Sequence, residues 1–192
     1  MKKLPIGIQS FENLRNEDYL YIDKTGSIHR MIATGRIYFL SRPRRFGKSL
    51  LVSTLDALFR GRKELFEGLY IYDKWDWTRQ YPVIRLDFGA LSYGSPEMLV
   101  NSLSDFVKKT ASKNKIVLES TELSTRFAEL IEQLHSNTGN QVVILVDEYD
   151  KPVTDYLSEP KILTANKKQL HDFYQVLKAS DDHIRFIFLT GV

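Results

Sequence analysis

The run Ser41-Arg42-Pro43-Arg44-Arg45-Phe46-Gly47-Lys48-Ser49 concentrates the residue types that hold phosphate. It follows the apolar segment Ile37 to Leu40 and leads into the apolar segment Leu50 to Phe59. At a strand-to-helix turn, a Gly-Lys-Ser triplet suits a polyphosphate. Backbone N–H groups surround the anion, the lysine reaches its outer phosphates, and the serine hydroxyl meets Mg²⁺. The candidate binding positions are Arg44, Arg45, Phe46, Gly47, Lys48, Ser49 and Leu50. The general pattern asks for glycine where this chain has Arg42. Pro43 follows it and holds Arg42 in extended geometry. Pro43 has no N–H, but the cradle uses later donors, and Gly47 is where a side chain would press on the phosphates. Arg44 and Arg45 can add charge near the terminal phosphate, pair with a carboxylate on the same surface, or meet nucleic acid. Without a ligand, the triplet reads simply as a helix start.

A second constellation bears on that choice. Val142-Val143-Ile144-Leu145-Val146 runs into Asp147 and Glu148, an apolar strand that ends in two carboxylates. Beside a phosphate loop, the first carboxylate, Asp147, can hold a Mg²⁺-bound water opposite Ser49, and Glu148 can activate the attacking water. Read without a metal, the same residues form an acidic turn, Asp147 to Asp150, that stops at Pro152. Thr190 ends another apolar stretch. At the same sheet edge, it would bond the attacking water or the terminal phosphate; its plain reading is a β-branched strand residue.

These groups need elements to position them. Arg36 to Ser41 reads as a buried strand, and Lys48 to Phe59 as a helix with Leu51, Leu55 and Leu58 on one face. Further strands are expected at Pro82 to Phe88, Val142 to Val146 and Ile184 to Thr190. Helices are expected at Gly26 to Thr34, from Ser95-Pro96-Glu97 to about Thr110, at Leu123 to His135 and at Asn166 to Ala179. Strands alternating with helices imply an α/β fold with a mostly parallel sheet and right-handed crossovers. Residues 1–35 read as an N-terminal segment that packs on a core of residues 36–192. The chain stops as a buried strand finishes, so the core is expected to be incomplete at its C-terminus. An open sheet edge would then invite self-association into a homo-oligomer.

The chain has 192 residues, 43% of them hydrophobic, enough for one domain with a real core. Its net charge of +3 excludes a polycation, so nucleic-acid binding would need a local patch. With no cysteine, disulfides and thiolate sites are excluded. No run approaches the roughly 20 apolar residues of a membrane span, and a soluble cytoplasmic protein without membrane contact is the expectation. His29, His135, His171 and His183 show no metal-ligand spacing. The aromatic residues from Phe66 to Tyr81 suit loop packing better than base stacking. Phe11, Leu14 and Tyr21 are placed to wall an adenine ring.

Phe39 to Leu50 resembles the phosphate loop of the AAA-ATPase-like family, which tends to write it as Arg-Pro-Arg-Arg-Phe-Gly-Lys-Ser. Pro5-Ile6-Gly7-Ile8-Gln9-Ser10-Phe11 and Tyr21-Ile22-Asp23-Lys24-Thr25 are similar to its opening segments. Ile144 to Pro152 is similar to its second motif, and Phe188 to Val192 to its third. The resemblance implies a three-layer P-loop NTPase of the additional-strand type, truncated after its fourth core strand, which sits between the loop strand and the Asp-Glu strand. ATP and Mg²⁺ are the implied cofactors, with Lys48, Glu148 and Thr190 as catalytic residues and Ser49 and Asp147 as metal ligands. Members commonly carry a C-terminal domain that looks like a PD-(D/E)XK nuclease, which would bring nucleic acid as a partner through a region not present here. The expected function is Mg-dependent ATP hydrolysis that controls an attached or partner domain. The alternative is a nucleotide-gated regulatory module with negligible hydrolysis. A P-loop kinase would need an acceptor pocket and a lid that the sequence does not display.

Overall fold

The computed structural model describes residues 2–192. Helix α1 (Phe11–Asn16) starts behind Ser10, whose hydroxyl accepts the Asn13 N–H at 3.2 Å, the usual way a serine closes a helix start. Helix α2 (Thr25–Thr34) buries Ile28 and Ile32. Strand β1 (Ile37–Ser41) leads through the loop into α3 (Lys48–Phe59). After an aromatic connection come β2 (Val83–Asp87), α4 (Pro96–Lys113) and α5 (Leu123–Thr138). Strand β3 (Val142–Asp147) is followed by the single turn α6 (Lys151–Thr154), then α7 (Pro160–Ala179) and β4 (Ile184–Gly191).

The four strands form one sheet in the order β1-β4-β3-β2, and every pair is parallel. Strand β4 therefore lies between the loop strand and the Asp-Glu strand. Because side chains alternate across a strand, each central strand feeds two cores. Val142, Ile144 and Val146 join α4, α5 and α7 on one face. Val143 and Leu145 join α1, α2 and α3 on the other. All six residues of β3 are buried, as a strand covered on both faces requires. The result is three layers: helices, sheet, helices.

The N-terminal segment shares the second core. Phe11 is buried in it together with Val52, Leu55 and Phe186, and its N–H donates to Ser53 Oγ at 2.9 Å. The aromatic connection packs here too. Trp75 and Tyr81 stand edge-on to Phe59, and Phe66 lies against Phe11 and Trp77. No helix among the described residues is long and apolar enough to cross a membrane.

Three elements differ from the sequence reading. Strand β1 is not buried: it is an edge strand, and Ile37 and Phe39 are 65% and 53% exposed on the face that α7 leaves uncovered. Helix α7 starts at Pro160 rather than Asn166, with proline in its first turn. Asn166, the first residue of the helix expected from the sequence, is fully buried inside α7 and donates to Pro152 O (2.8 Å) and Tyr93 O (3.2 Å). Pro152, which follows the acidic turn, lies in the first turn of α6, a short helix that the sequence reading did not include.

Phe59 has no exposed surface and touches Trp75, Tyr81 and Phe186. Phe59→Ala is expected to lower the unfolding free energy by about 3–5 kcal/mol. Urea denaturation measures it; a loss no larger than that of a surface substitution would contradict this packing.

Candidate functional site

A parallel sheet brings all its strand C-termini to one edge. Here the register pairs Leu40 with Thr190, Ser41 with Gly191, Val146 with Leu189, and Asp87 with Asp147. The loop between β1 and α3, Thr190 and the Asp147-Glu148 pair therefore share that edge, with β4 between the loop and the carboxylates.

The loop leaves β1 with the Arg42 N–H still donating to Gly191 O at 3.3 Å. Arg42 thus finishes the strand, as the proline after it favours. The chain then turns through Arg45 (φ 68°) and Gly47 (φ 75°, ψ 21°) into α3. Arg45 in the left-handed region is an uncommon conformation for a residue with a side chain. Gly47 occupies the cap position of α3 without any side-chain cap, and the first turn of the helix holds no acidic residue. Its leading N–H groups are therefore free for an anion. A Cβ on Gly47 would meet nothing within 4 Å; the space in front of the loop is open, and glycine is needed there for its φ.

Lys48 is 8% exposed, and its ammonium donates to Arg42 O (2.7 Å) and Pro43 O (3.0 Å). The lysine lies across its own loop, held by carbonyls and not by a carboxylate. Ser49 and Leu50 are half-buried beside it, while Arg44, Arg45 and Phe46 are exposed. Neither arginine forms a salt bridge among the described residues.

Asp147 is 2% exposed and accepts a hydrogen bond from the Thr190 hydroxyl. Thr190 has no exposed surface. The same hydroxyl lies 3.4 Å from the Glu148 N–H, which donates to it, and the Tyr149 N–H donates to Thr190 O at 3.0 Å. Thr190 therefore does not stand free at the edge, as the sequence suggested; its hydroxyl is turned to Asp147. Glu148 has φ 53°, a left-handed step that swings the chain away from β3. Asp150 Oδ2 accepts the Val192 N–H at 2.9 Å. Burial pushes the Glu148 carboxyl above the ordinary glutamate range. The cation of Lys151 works against that rise, the charges of Asp147 and Asp87 add to it, and Lys48 opposes it.

Sequence reasoning missed Asp87, which ends β2 level with Asp147 and accepts the Gly89 N–H at 2.8 Å. The local signal is weak, because Arg85 interrupts the run from Val83 to Leu86 that Asp87 closes. It also missed Lys151, whose ammonium lies 3.3 Å from both Asp155 Oδ2 and Tyr93 Oη. Phe11 and Leu14 are excluded as an adenine wall, since neither has any exposed surface; the Tyr21 ring packs edge-on against Phe11. His135 and His183, far apart in sequence, meet with Nδ1 atoms 2.9 Å apart. His183 precedes β4, so the pair lies at the opposite sheet edge from the loop.

An uncapped helix start, a lysine folded onto its loop and a buried carboxylate two strands away form the layout of a P-loop. A family model described as "Predicted AAA-ATPase" matches residues 5–192. The chain belongs to the AAA-ATPase-like family. It is also 46% identical over 192 residues to a protein of Azotobacter chroococcum mcd 1 described as "Uncharacterized protein in vnfD 5'region". That match takes 100% of this chain and 37% of the relative, so the chain spans little more than a third of the relative's length.

The contact between β4 and the acidic turn makes a sharp test of this geometry. A Cβ at Gly191 would lie 2.7 Å from both Asp150 Oδ1 and Tyr149 Cε1. Gly191→Ala is expected to cost about 1–3 kcal/mol of stability by forcing the turn outward, measured by chemical denaturation. An unchanged midpoint would show that the turn is not seated on β4.

Proposed function

We propose that this chain binds ATP at the loop between β1 and α3 and hydrolyses it with Mg²⁺. The observation that carries the reading is the placement of Lys48 behind the left-handed Gly47, at an uncapped helix start, on the sheet edge that also holds Asp147 and Glu148. Family membership supports nucleotide binding.

Each residue has a role that its chemistry allows. The loop N–H groups from Arg44 to Leu50 and the Lys48 ammonium hold the phosphates. Lys48 must exchange its two carbonyl partners for phosphate oxygens, a trade that a flexible ammonium makes readily. Ser49 and Asp147 offer a hydroxyl and a carboxylate, hard oxygen donors that fit Mg²⁺. When bound, Mg²⁺ neutralises charge on the phosphate oxygens. Glu148 orients a water and accepts its proton as the water oxygen bonds to the terminal phosphorus and the bond to the leaving diphosphate breaks. Arg44 and Arg45, exposed and without ion pairs among the described residues, add positive charge around the entering phosphates.

A second reading is favoured by the greater length of the relative: ATP occupancy, with little turnover, switches another part of a longer protein. A nuclease-like C-terminal domain is the partner that the family resemblance implies. Both readings need the same binding site, and Glu148 separates them.

Nucleotide titration with and without Mg²⁺ tests the site. Lys48→Ala is expected to weaken ATP binding at least about tenfold, a loss of roughly 1.4 kcal/mol; equal affinity in wild type and variant would overturn the reading. Phosphate release then separates the two forms. Hydrolysis by wild type and binding alone by Glu148→Gln support the ATPase; binding without hydrolysis by both supports the switch.

A further inference from the structure

We propose that Thr190 is a positioning residue that holds Asp147 and Glu148 in place, and not a sensor of the terminal phosphate. The inference rests on the nucleotide site proposed above and assigns one residue within it.

The argument begins with the hydroxyl itself. A threonine Oγ has one proton to donate and lone pairs to accept with. The proton of Thr190 goes to Asp147 Oδ1, and a lone pair receives the Glu148 N–H at 3.4 Å. Phosphate oxygens only accept hydrogen bonds. To sense a terminal phosphate, Thr190 would have to withdraw its proton from Asp147. That carboxylate is 2% exposed, and among the described residues no other side chain donates to it. Losing its donor in a buried setting would leave a desolvated charge unsatisfied. Thr190 itself has no exposed surface, so no face of it is turned toward the open space before the loop.

The surrounding contacts favour a fixed arrangement. The Tyr149 N–H donates to Thr190 O, so the two backbone donors that follow Asp147 both end on Thr190. Between them lies Glu148 at φ 53°, a conformation that persists in a residue with a side chain only where its surroundings hold it. Farther along, Asp150 accepts the Val192 N–H, and Gly191 leaves no room for a Cβ beneath the turn. The whole segment from Asp147 to Asp150 is thus tied to the tip of β4. Asp147 Oδ1 is occupied, and Oδ2 has no hydrogen-bond partner among the described residues. Thr190 therefore sets which carboxylate oxygen is left for a cation and which way the chain of Glu148 departs.

The two roles predict different losses. Binding of fluorescent ADP and of a fluorescent non-hydrolysable ATP analogue is measured on the whole chain while Mg²⁺ is titrated. Residues that orient a metal ligand through a hydrogen bond change metal affinity by about 10–100-fold when removed. Thr190→Val, which keeps the shape and removes the hydroxyl, is expected to raise the half-saturating Mg²⁺ concentration by at least about tenfold. The rise is expected equally with ADP and with the ATP analogue. Thr190→Ser, which restores the hydroxyl, is expected to recover most of the Mg²⁺ affinity. Should valine prevent folding, Thr190→Ala takes its place with the same expectation.

A wild-type Mg²⁺ response in the variant without the hydroxyl overturns the proposal. So does a loss confined to the ATP analogue, which is the signature of a phosphate sensor. Wild-type protein that binds neither nucleotide, or binds both without regard to Mg²⁺, overturns the underlying site as well, and is told apart because the defect is present before any substitution.

Discussion

Everything at the candidate functional edge depends on β4 lying between β1 and β3. The strands are parallel and the centre of the sheet is covered on both faces, so β4 cannot shift without exposing Phe186 and Phe188 on one side and Ile184 and Ile187 on the other. That burial fixes where Thr190 stands. Thr190 in turn is the only side chain that reaches Asp147 by hydrogen bond among the described residues. Apolar packing, which has no directional preference of its own, is thereby converted into the placement of one carboxylate. The acidic turn after β3 then needs little stability of its own, because it is bonded to a strand tip that the core already holds.

The loop on the other side of β4 is built on a different principle. It has few contacts, exposed arginines and two left-handed residues. Its organising contact is the Lys48 ammonium on the carbonyls of Arg42 and Pro43. The candidate site thus joins a half bonded to the tip of β4, carrying the carboxylates, to a half with exposed side chains, carrying the donors. A polyanion arriving between them meets free N–H groups and a cation whose present partners are neutral.

Most of the layered fold was legible in the sequence because its signals are local. Val142 to Val146 is an apolar run that only a doubly covered strand explains, and the Gly47-Lys48-Ser49 turn marks the passage from β1 to α3. The misreadings have physical reasons. Arg36 to Ser41 looked buried because Ile37, Tyr38, Phe39 and Leu40 are all apolar, yet whether a strand lies at the edge of a sheet is a property of its neighbours. The start of α7 was placed at Asn166, six residues late, and the role of Asn166 inside the helix depends on Tyr93 and Pro152, which only the folded chain brings beside it. At the site, the candidate residues from Arg44 to Leu50, Asp147 and Glu148 were legible from type and spacing. Asp87 and Lys151 were not, since their proximity to Glu148 arises only when β2 pairs with β3 and the turn into α6 closes. The bond from Thr190 to Asp147 was hidden for the same reason.

Strand β1 carries one more consequence. It is the strand from which the loop into α3 hangs, and among the described residues one of its two backbone edges has no partner strand. Its amide groups alternate between those bonded to β4 and those that face outward. Local opening draws on such half-paired elements before it reaches a doubly paired strand such as β3. The loop is therefore suspended from one of the least protected strands of the sheet, while its counterpart Asp147 stands at the end of one of the most protected. Solvent exchange along the backbone should follow this gradient, fast at Ile37 to Ser41 and slow at Val142 to Val146. A ligand that gathers the loop N–H groups would be felt first as protection spreading backwards along β1.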